Sequence, residues 1–294
     1  MKNHQKPKIN FVQWGITQRC NYGCSYCVAN GLRIVSSKKQ AVDNVSPYIF
    51  LDKFSKHLLG IWQFHLCGNG EPFMAPDFLK TVKGLIKMNH QVGVTTNFSA
   101  PKKEILEFCR ITKDKLFKFD VSLHLEYTKL GNFLKKALLI KRLIGDKFRV
   151  YSVARKGCLF ELEKIGWLFR EKGIPFTLQL ERDYTKNNIK EPFVEYTKQE
   201  KDIIRKFRGC FYDKNNLKFK GKLCWAGSKY FVINDEGDAW RCHPARRPRD
   251  SKGYLGNLLK GTFKLNQSIS ICQYKYCYCV EPISFGMIVN NQNQ

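Results

Sequence analysis

The residues best suited to chemistry in this sequence are three cysteines near its beginning, Cys20, Cys24 and Cys27, at C-x3-C-x2-C spacing. Thiolates packed this closely select an iron–sulfur cluster or zinc. The count of three is the informative part. A structural zinc site is closed by a fourth Cys or His, and the nearest histidines, His4 and His57, lie far off in sequence. A [4Fe–4S] cube has four irons, so three thiolates leave one iron open to a ligand that is not protein. Two plainer readings stand beside this one: cysteines buried as small hydrophobes, and a zinc knuckle completed by a distant residue.

With the aromatic Tyr26 just before the last cysteine, this stretch resembles the signature of the radical SAM superfamily. The resemblance implies a [4Fe–4S] cluster bound by three Cys with one open iron, which chelates S-adenosylmethionine (SAM) through its amino and carboxylate groups. Reductive cleavage of SAM to a 5′-deoxyadenosyl radical, followed by abstraction of hydrogen from a substrate C–H bond, is the activity so implied. A reductant such as flavodoxin or ferredoxin is the implied partner.

The elements that would position such a loop follow from the hydrophobic pattern. Strand-like segments at residues 9–17, 62–66, 91–96, 117–124, 148–154 and 176–180 alternate with amphipathic segments at 47–59, 76–88, 101–109, 128–144 and 159–172. Six strands with helices between them predict a parallel sheet with right-handed crossovers. The superfamily resemblance adds a partial (β/α)6 TIM-like barrel, in which chemistry sits at the C-terminal ends of the strands. The fold class expected is therefore α/β, with a small C-terminal α+β cysteine-rich extension.

Polar residues do stand at those strand ends. After the second strand come Cys67, Gly68, Asn69, Gly70, Glu71 and Pro72. Glycines there permit positive φ or close backbone approach, and Glu71 offers a carboxylate. The element resembles the superfamily's Gly-Gly-Glu-Pro motif, which holds the amino group of SAM. Asn97 follows the third strand, and Ser122, His124 and Glu126 share one face of the fourth. Arg155 and Lys156 follow the fifth, suited to a carboxylate or phosphate. Tyr26, Asn97, Ser122, His124 and Arg155 are the expected cofactor contacts beside Gly68, Asn69, Gly70 and Glu71. Gln179, Glu181 and Arg182 follow the sixth strand as substrate-facing candidates. Cys158 is the free thiol placed to donate hydrogen if the enzyme is an epimerase; the plain alternative is a buried residue.

A second cluster of cysteines lies at the other end of the chain: Cys224, Cys242, Cys272, Cys277 and Cys279. Residues 229–233 and 239–242 read as a hairpin around Asn234 to Gly237. The spacing Cys224-x12-Gly237-x4-Cys242 resembles the first half of the SPASM/twitch extensions, which carry auxiliary iron–sulfur clusters. Five thiols suffice for one auxiliary [4Fe–4S] cluster at four ligands each, not two. The set expected is Cys224, Cys242, Cys277 and either Cys272 or Cys279; a four-cysteine zinc site remains the alternative.

Composition bounds the rest. The chain has 294 residues, 43% hydrophobic and 14% aromatic, enough for a large core and too apolar for disorder. Neither a membrane span nor a signal-peptide core is visible, so a cytoplasmic protein is expected. Twelve cysteines then read as metal or redox sites rather than disulfides. The net charge is +26, with lysines dispersed rather than gathered around a nucleic-acid motif. An anionic small-molecule or peptide substrate, or an acidic redox partner, fits this charge better than nucleic acid does. Peptide or protein side chains and nucleotide sugars are the substrate classes the resemblance offers, and the absence of a recognisable leader-binding domain points away from a leader-guided maturase. A non-enzymatic iron–sulfur or zinc protein is the rival reading. The boundaries expected are 8–185 for the core, 186–219 for a linker and helix, 220–282 for the extension and 283–294 for a tail.

Overall fold

The computed structural model describes residues 7–27, 46–182, 193–208, 217–246, 250–277 and 281–289. Six strands, β1 (Asn10–Trp14), β2 (Trp62–Leu66), β3 (Gln91–Thr96), β4 (Leu116–Ser122), β5 (Phe148–Ala154) and β6 (Phe176–Leu180), lie side by side in chain order. Every neighbouring pair among them is parallel. Between them run α1 (Phe50–His57), α2 (Phe78–Lys87), α3 (Lys102–Thr112), α4 (Leu130–Ile144) and α5 (Leu159–Glu171), and α6 (Lys198–Arg208) follows the last. A singly wound parallel sheet with its helices on one face is the architecture of an open, partial barrel.

Side-chain alternation divides the two faces. Val12, Trp14, Phe64, Val94, Phe119 and Val150 point to the helices and are fully buried against Phe54, Leu85, Phe108, Ile140 and Phe169. The opposite face carries Gln13, His65, Thr95, Asp120 and Arg149. Its polar groups are paired: His65 Nε2 lies 2.7 Å from Thr95 Oγ1, and buried Asp120 accepts from Arg149 Nε at 3.0 Å and meets Lys118 Nζ at 3.4 Å.

The cysteine-rich extension joins the barrel through backbone. The expected hairpin is present as β8 (Tyr230–Ile233) and β9 (Asp238–Trp240), after a short β7 (Leu223–Cys224), and β10 (Tyr254–Asn257) adds to it. β8 pairs in parallel with β1, giving one nine-stranded sheet in the order β10-β9-β8-β1-β2-β3-β4-β5-β6. The turn forms because Asn234 Oδ1 accepts from the amides of Glu236 and Asp238, with Gly237 at φ 86°. β7 lies in a separate small sheet between β11 (Ser270–Ile271) and β12 (Ile288–Val289). Phe231 locks the joint, fully buried with Trp62 and Phe263 ring centres at 5.7 and 5.1 Å. Among the described residues no helix is long and apolar enough to cross a membrane.

Because β8 closes the edge that β1 would otherwise expose, Phe231→Ala should destabilise the whole chain by about 3–5 kcal/mol. Denaturant unfolding followed by core tryptophan fluorescence checks this; loss of the extension's structure alone, at unchanged midpoint for the barrel, would show the two parts to be independent.

Candidate active site

The chain leaves β1 at Gly15 and turns across the C-terminal ends of the strands, carrying Cys20, Cys24 and Cys27. Backbone contact fixes this turn. Glu71 N–H donates to the Arg19 carbonyl at 2.7 Å. Gly70 lies so close that a Cβ there would fall 2.2 Å from the Arg19 oxygen, so only glycine fits. Gly68, at φ 119°, brings the second strand's exit against Gly15, and Asn69 sits beside it. The element of Gly68 to Glu71 is thus pressed directly onto the thiol loop.

The same loop is held from the fourth strand's side. Glu126 accepts from the Ser25 amide at 3.0 Å and from the Ser25 hydroxyl. Gly23 N–H donates to the Tyr127 hydroxyl at 3.1 Å, and Tyr22 stacks on Tyr127 with ring centres 4.5 Å apart. Cys20 is exposed, Cys27 half-buried and Cys24 buried. The thiols are near enough to act on one another electrostatically, although burial is the larger effect: it pushes Cys24 up to about 11 and Cys20 upward as well. Burial thus favours the neutral thiol at Cys20 and Cys24, so a metal binding there must displace their protons.

Glu71 is the hub beside them, 2% exposed. Its Oε1 accepts from Thr96 Oγ1 at 2.6 Å and its Oε2 from the Asn97 amide at 2.6 Å. Asn97 in turn donates to Asn21 Oδ1 at 2.9 Å and reaches Cys20 Sγ at 3.8 Å. Burial pushes the Glu71 carboxyl up to about 7, against these hydrogen bonds. The Lys136 ammonium lies below, donating to the carbonyls of Phe98 and Ala100 at 2.7 and 2.9 Å. Phe98 takes the left-handed φ of 64°, a conformation that this lysine helps to hold.

His124 and Tyr26 form the wall facing Cys24. The Tyr26 hydroxyl lies 2.9 Å from His124 Nδ1, their rings stack, and Cys24 Sγ lies 3.4 Å from the same nitrogen. Burial lowers His124 to about 4, so the imidazole is neutral near neutral pH. Ser122 is half-buried at the end of β4, in register with Tyr151. Arg155 forms an ion pair with Glu126 and stands 5.6 Å over the Tyr26 ring, so it braces the thiol loop. Its neighbour's amide, Lys156 N–H, donates to Glu181 at 3.0 Å. Cys158 stands at the start of α5, half-buried against the helix-side core.

A second thiol group lines one cavity in the extension. Cys224, Cys242, Cys272 and Cys277 all face it, with Arg241 and Tyr274. Cys279 lies outside the described residues. Burial raises Cys224 to about 11 and raises Cys242 and Cys272 too. Among the described residues no three His, Cys, Asp or Glu side chains converge tightly enough to hold a single metal ion as they stand. A cluster of four irons spreads its thiolates over separate corners, and this donor set of three sulfurs at one site and four at the other suits that chemistry better than one tetrahedral ion.

Of the residues singled out in the sequence, the structure brings Cys20, Cys24, Cys27, Glu71, Asn97 and His124 together at the strand ends. Sequence reasoning missed Asn21, Tyr127, Lys136 and Arg241. A charged residue between the apolar Trp240 and Cys242 was the available signal for Arg241.

No family model matches the chain. In sequence it is similar to the GTP 3′,8-cyclase of Haemophilus ducreyi, 29% identical over 100 residues, covering 33% of this chain and 28% of that protein. The corresponding cyclase of Clostridium botulinum is 31% identical over 121 residues, 40% and 35% of the two chains. The match thus spans about a third of the length of these curated relatives. Among solved structures, anSMEcpe with bound AdoMet superposes at a TM-score of 0.58 with 16% identity, covering 86% of this chain and 79% of that one. Streptococcus suis SuiB bound to S-adenosylmethionine gives 0.56 at 15%, covering 80% and 60%. BtrN in complex with AdoMet and 2-DOIA gives 0.51 at 13%, covering 88% and 81%. The fold is the one these structures share, an α/β partial barrel on a parallel sheet.

Because burial favours the protonated form of Glu71, its contribution to stability is greatest in acid and is lost as pH rises through about 7. The melting temperature of the metal-free protein should fall over that range, and Glu71→Gln should flatten the slope. An identical slope in the variant would contradict the assignment.

Proposed function

We propose that the protein is a radical SAM enzyme whose first centre is a [4Fe–4S] cluster held by Cys20, Cys24 and Cys27. The observation that carries this reading is the contact of the thiol loop with the Gly68–Glu71 element through the Glu71 amide and the Arg19 carbonyl. It sets a carboxylate, exposed loop amides and a three-sulfur donor set side by side. Bound there, the cluster and SAM would supply reductive cleavage of the sulfonium and a carbon-centred radical that takes hydrogen from a C–H bond.

The chain's own residues bind and orient. Glu71 offers negative charge to an ammonium group, and a bound cation would keep that carboxyl ionised. Asn97, fixed by Asn21, presents an amide next to Cys20. Tyr26, held by its stacking on His124 and by the Arg155 guanidinium over its ring, walls the site beside Cys24. The barrel's inner face, with Gln13, Thr95 and Tyr151 at its strands, is where substrate would lie away from bulk water.

The second centre is proposed as one auxiliary [4Fe–4S] cluster on Cys224, Cys242, Cys272 and Cys277, in a twitch-like extension. Their common cavity supports this set. Electron transfer or substrate anchoring is its role. For the substrate we infer a peptide side chain or a nucleotide sugar. The neighbour bound to AdoMet and the Kp18Cys peptide supports the first; the cyclase relatives' nucleotide, GTP, and the charge of +26 support an anionic one. An acidic reductant such as flavodoxin or ferredoxin suits the same charge.

With dithionite and SAM under anaerobic conditions, the reconstituted protein should release 5′-deoxyadenosine. Alanine at Cys20, Cys24 or Cys27 should reduce that release at least a hundredfold, while Cys158→Ala retains it. Product release undiminished in the three thiol variants would overturn the proposal; chromatography of the quenched mixture reads it directly.

A further inference from the structure

Arg241 directly follows β9, one residue before Cys242, and is 7% exposed. Its Nε is buried and finds no hydrogen-bond partner among the described residues. The side chain lines the cavity of Cys224, Cys242, Cys272 and Cys277. Asp250, the carboxylate near enough to feel its charge, is committed elsewhere: it accepts from the Tyr274 hydroxyl at 2.6 Å and from the Lys252 amide at 2.9 Å. A guanidinium nitrogen buried without an acceptor is costly, because burial removes its water and no hydrogen bond replaces it. Neutral thiols do not offset that cost. A metal–sulfur core ligated by four thiolates carries net negative charge and would.

We infer that Arg241 is the buried counter-charge of the centre held by Cys224, Cys242, Cys272 and Cys277, and that it keeps the reduction potential of that centre above what the same centre would have without it. The inference rests on the auxiliary-cluster reading above. Reduction adds one electron to a core that is already negative. A fixed cation beside the core stabilises the reduced state more than the oxidised one. Arg241 is a positioning and tuning residue, not one that touches substrate.

Iron analysis and an EPR-monitored redox titration test this on the full chain in three variants, Arg241→Lys, Arg241→Gln and Arg241→Met. The wild-type protein should hold about eight irons; about four would sink the second-centre reading, and this inference with it, before any variant is made. In the Gln and Met variants the potential of the second centre should fall by the equivalent of a tenfold or larger change in the one-electron equilibrium, about 59 mV. The first centre's potential should not move, and Lys should stay near wild type. Loss of the second centre's iron in Gln and Met but not in Lys would support the same charge requirement. Loss in all three variants, or full iron with an unmoved potential in Gln and Met, would overturn it.

Discussion

The hydrogen bond from the Glu71 amide to the Arg19 carbonyl, 2.7 Å long, joins two loops that come from different strands. One carries the thiols and the other the carboxylate. The approach is so close that the residue before Glu71 must lack a side chain, which Gly70 satisfies. Everything else in the site is arranged around that contact. Thr96 and the Asn97 amide fix the Glu71 carboxylate from the third strand, and Glu126 and Tyr127 fix the thiol loop from the fourth. The loop is therefore clamped by backbone and carboxylate bonds rather than by its own sulfurs, which leaves the sulfurs to a metal.

The extension shares the sheet, and its shared edge explains the layout of the second site. Strand β8 runs parallel to β1, so its exit points the same way as the thiol loop. Gln18, just before that loop, donates to both oxygens of Asp235 in the hairpin turn at 3.1 Å. Phe11 on β1 also belongs to the small core that contains Cys224, Trp225, Tyr230 and Cys242. Cys242 therefore follows a strand of the sheet that also carries the thiol loop, while Cys224 lies in the separate small sheet and packs into the same core.

Local pattern carried much of this architecture. The strands at 62–66, 91–96, 148–154 and 176–180 were legible to the residue, because apolar side chains alternate there and Gly, Pro or charged residues end each run. β1 is shorter than its apolar run, since the chain turns off at Gly15, and β4 ends before His124 for the same reason: that residue has left the ladder to meet Tyr26. The amphipathic run from Pro47 opens as a short 3-10 turn before α1. The site's cysteines and Glu71 were visible from residue type and spacing. What the sequence hid was nonlocal. Pairing of β8 with β1 joins residues more than two hundred positions apart, and no periodicity reports it. Arg155 read as an anion site, yet its charge is used by Glu126, a partner that only the neighbouring strands bring into reach. Lys136 carried no signal in the local pattern, yet it donates to two carbonyls beneath the site.

The central claim is that three protein sulfurs leave one iron to be completed by SAM. Electron–nuclear double resonance on the anaerobically reduced protein, mixed with SAM carrying 15N in its amino group, tests it most directly. The account predicts a hyperfine coupling between the label and the first centre, lost when unlabelled SAM is used. A fully loaded, reduced centre that shows no coupling to the label would contradict it.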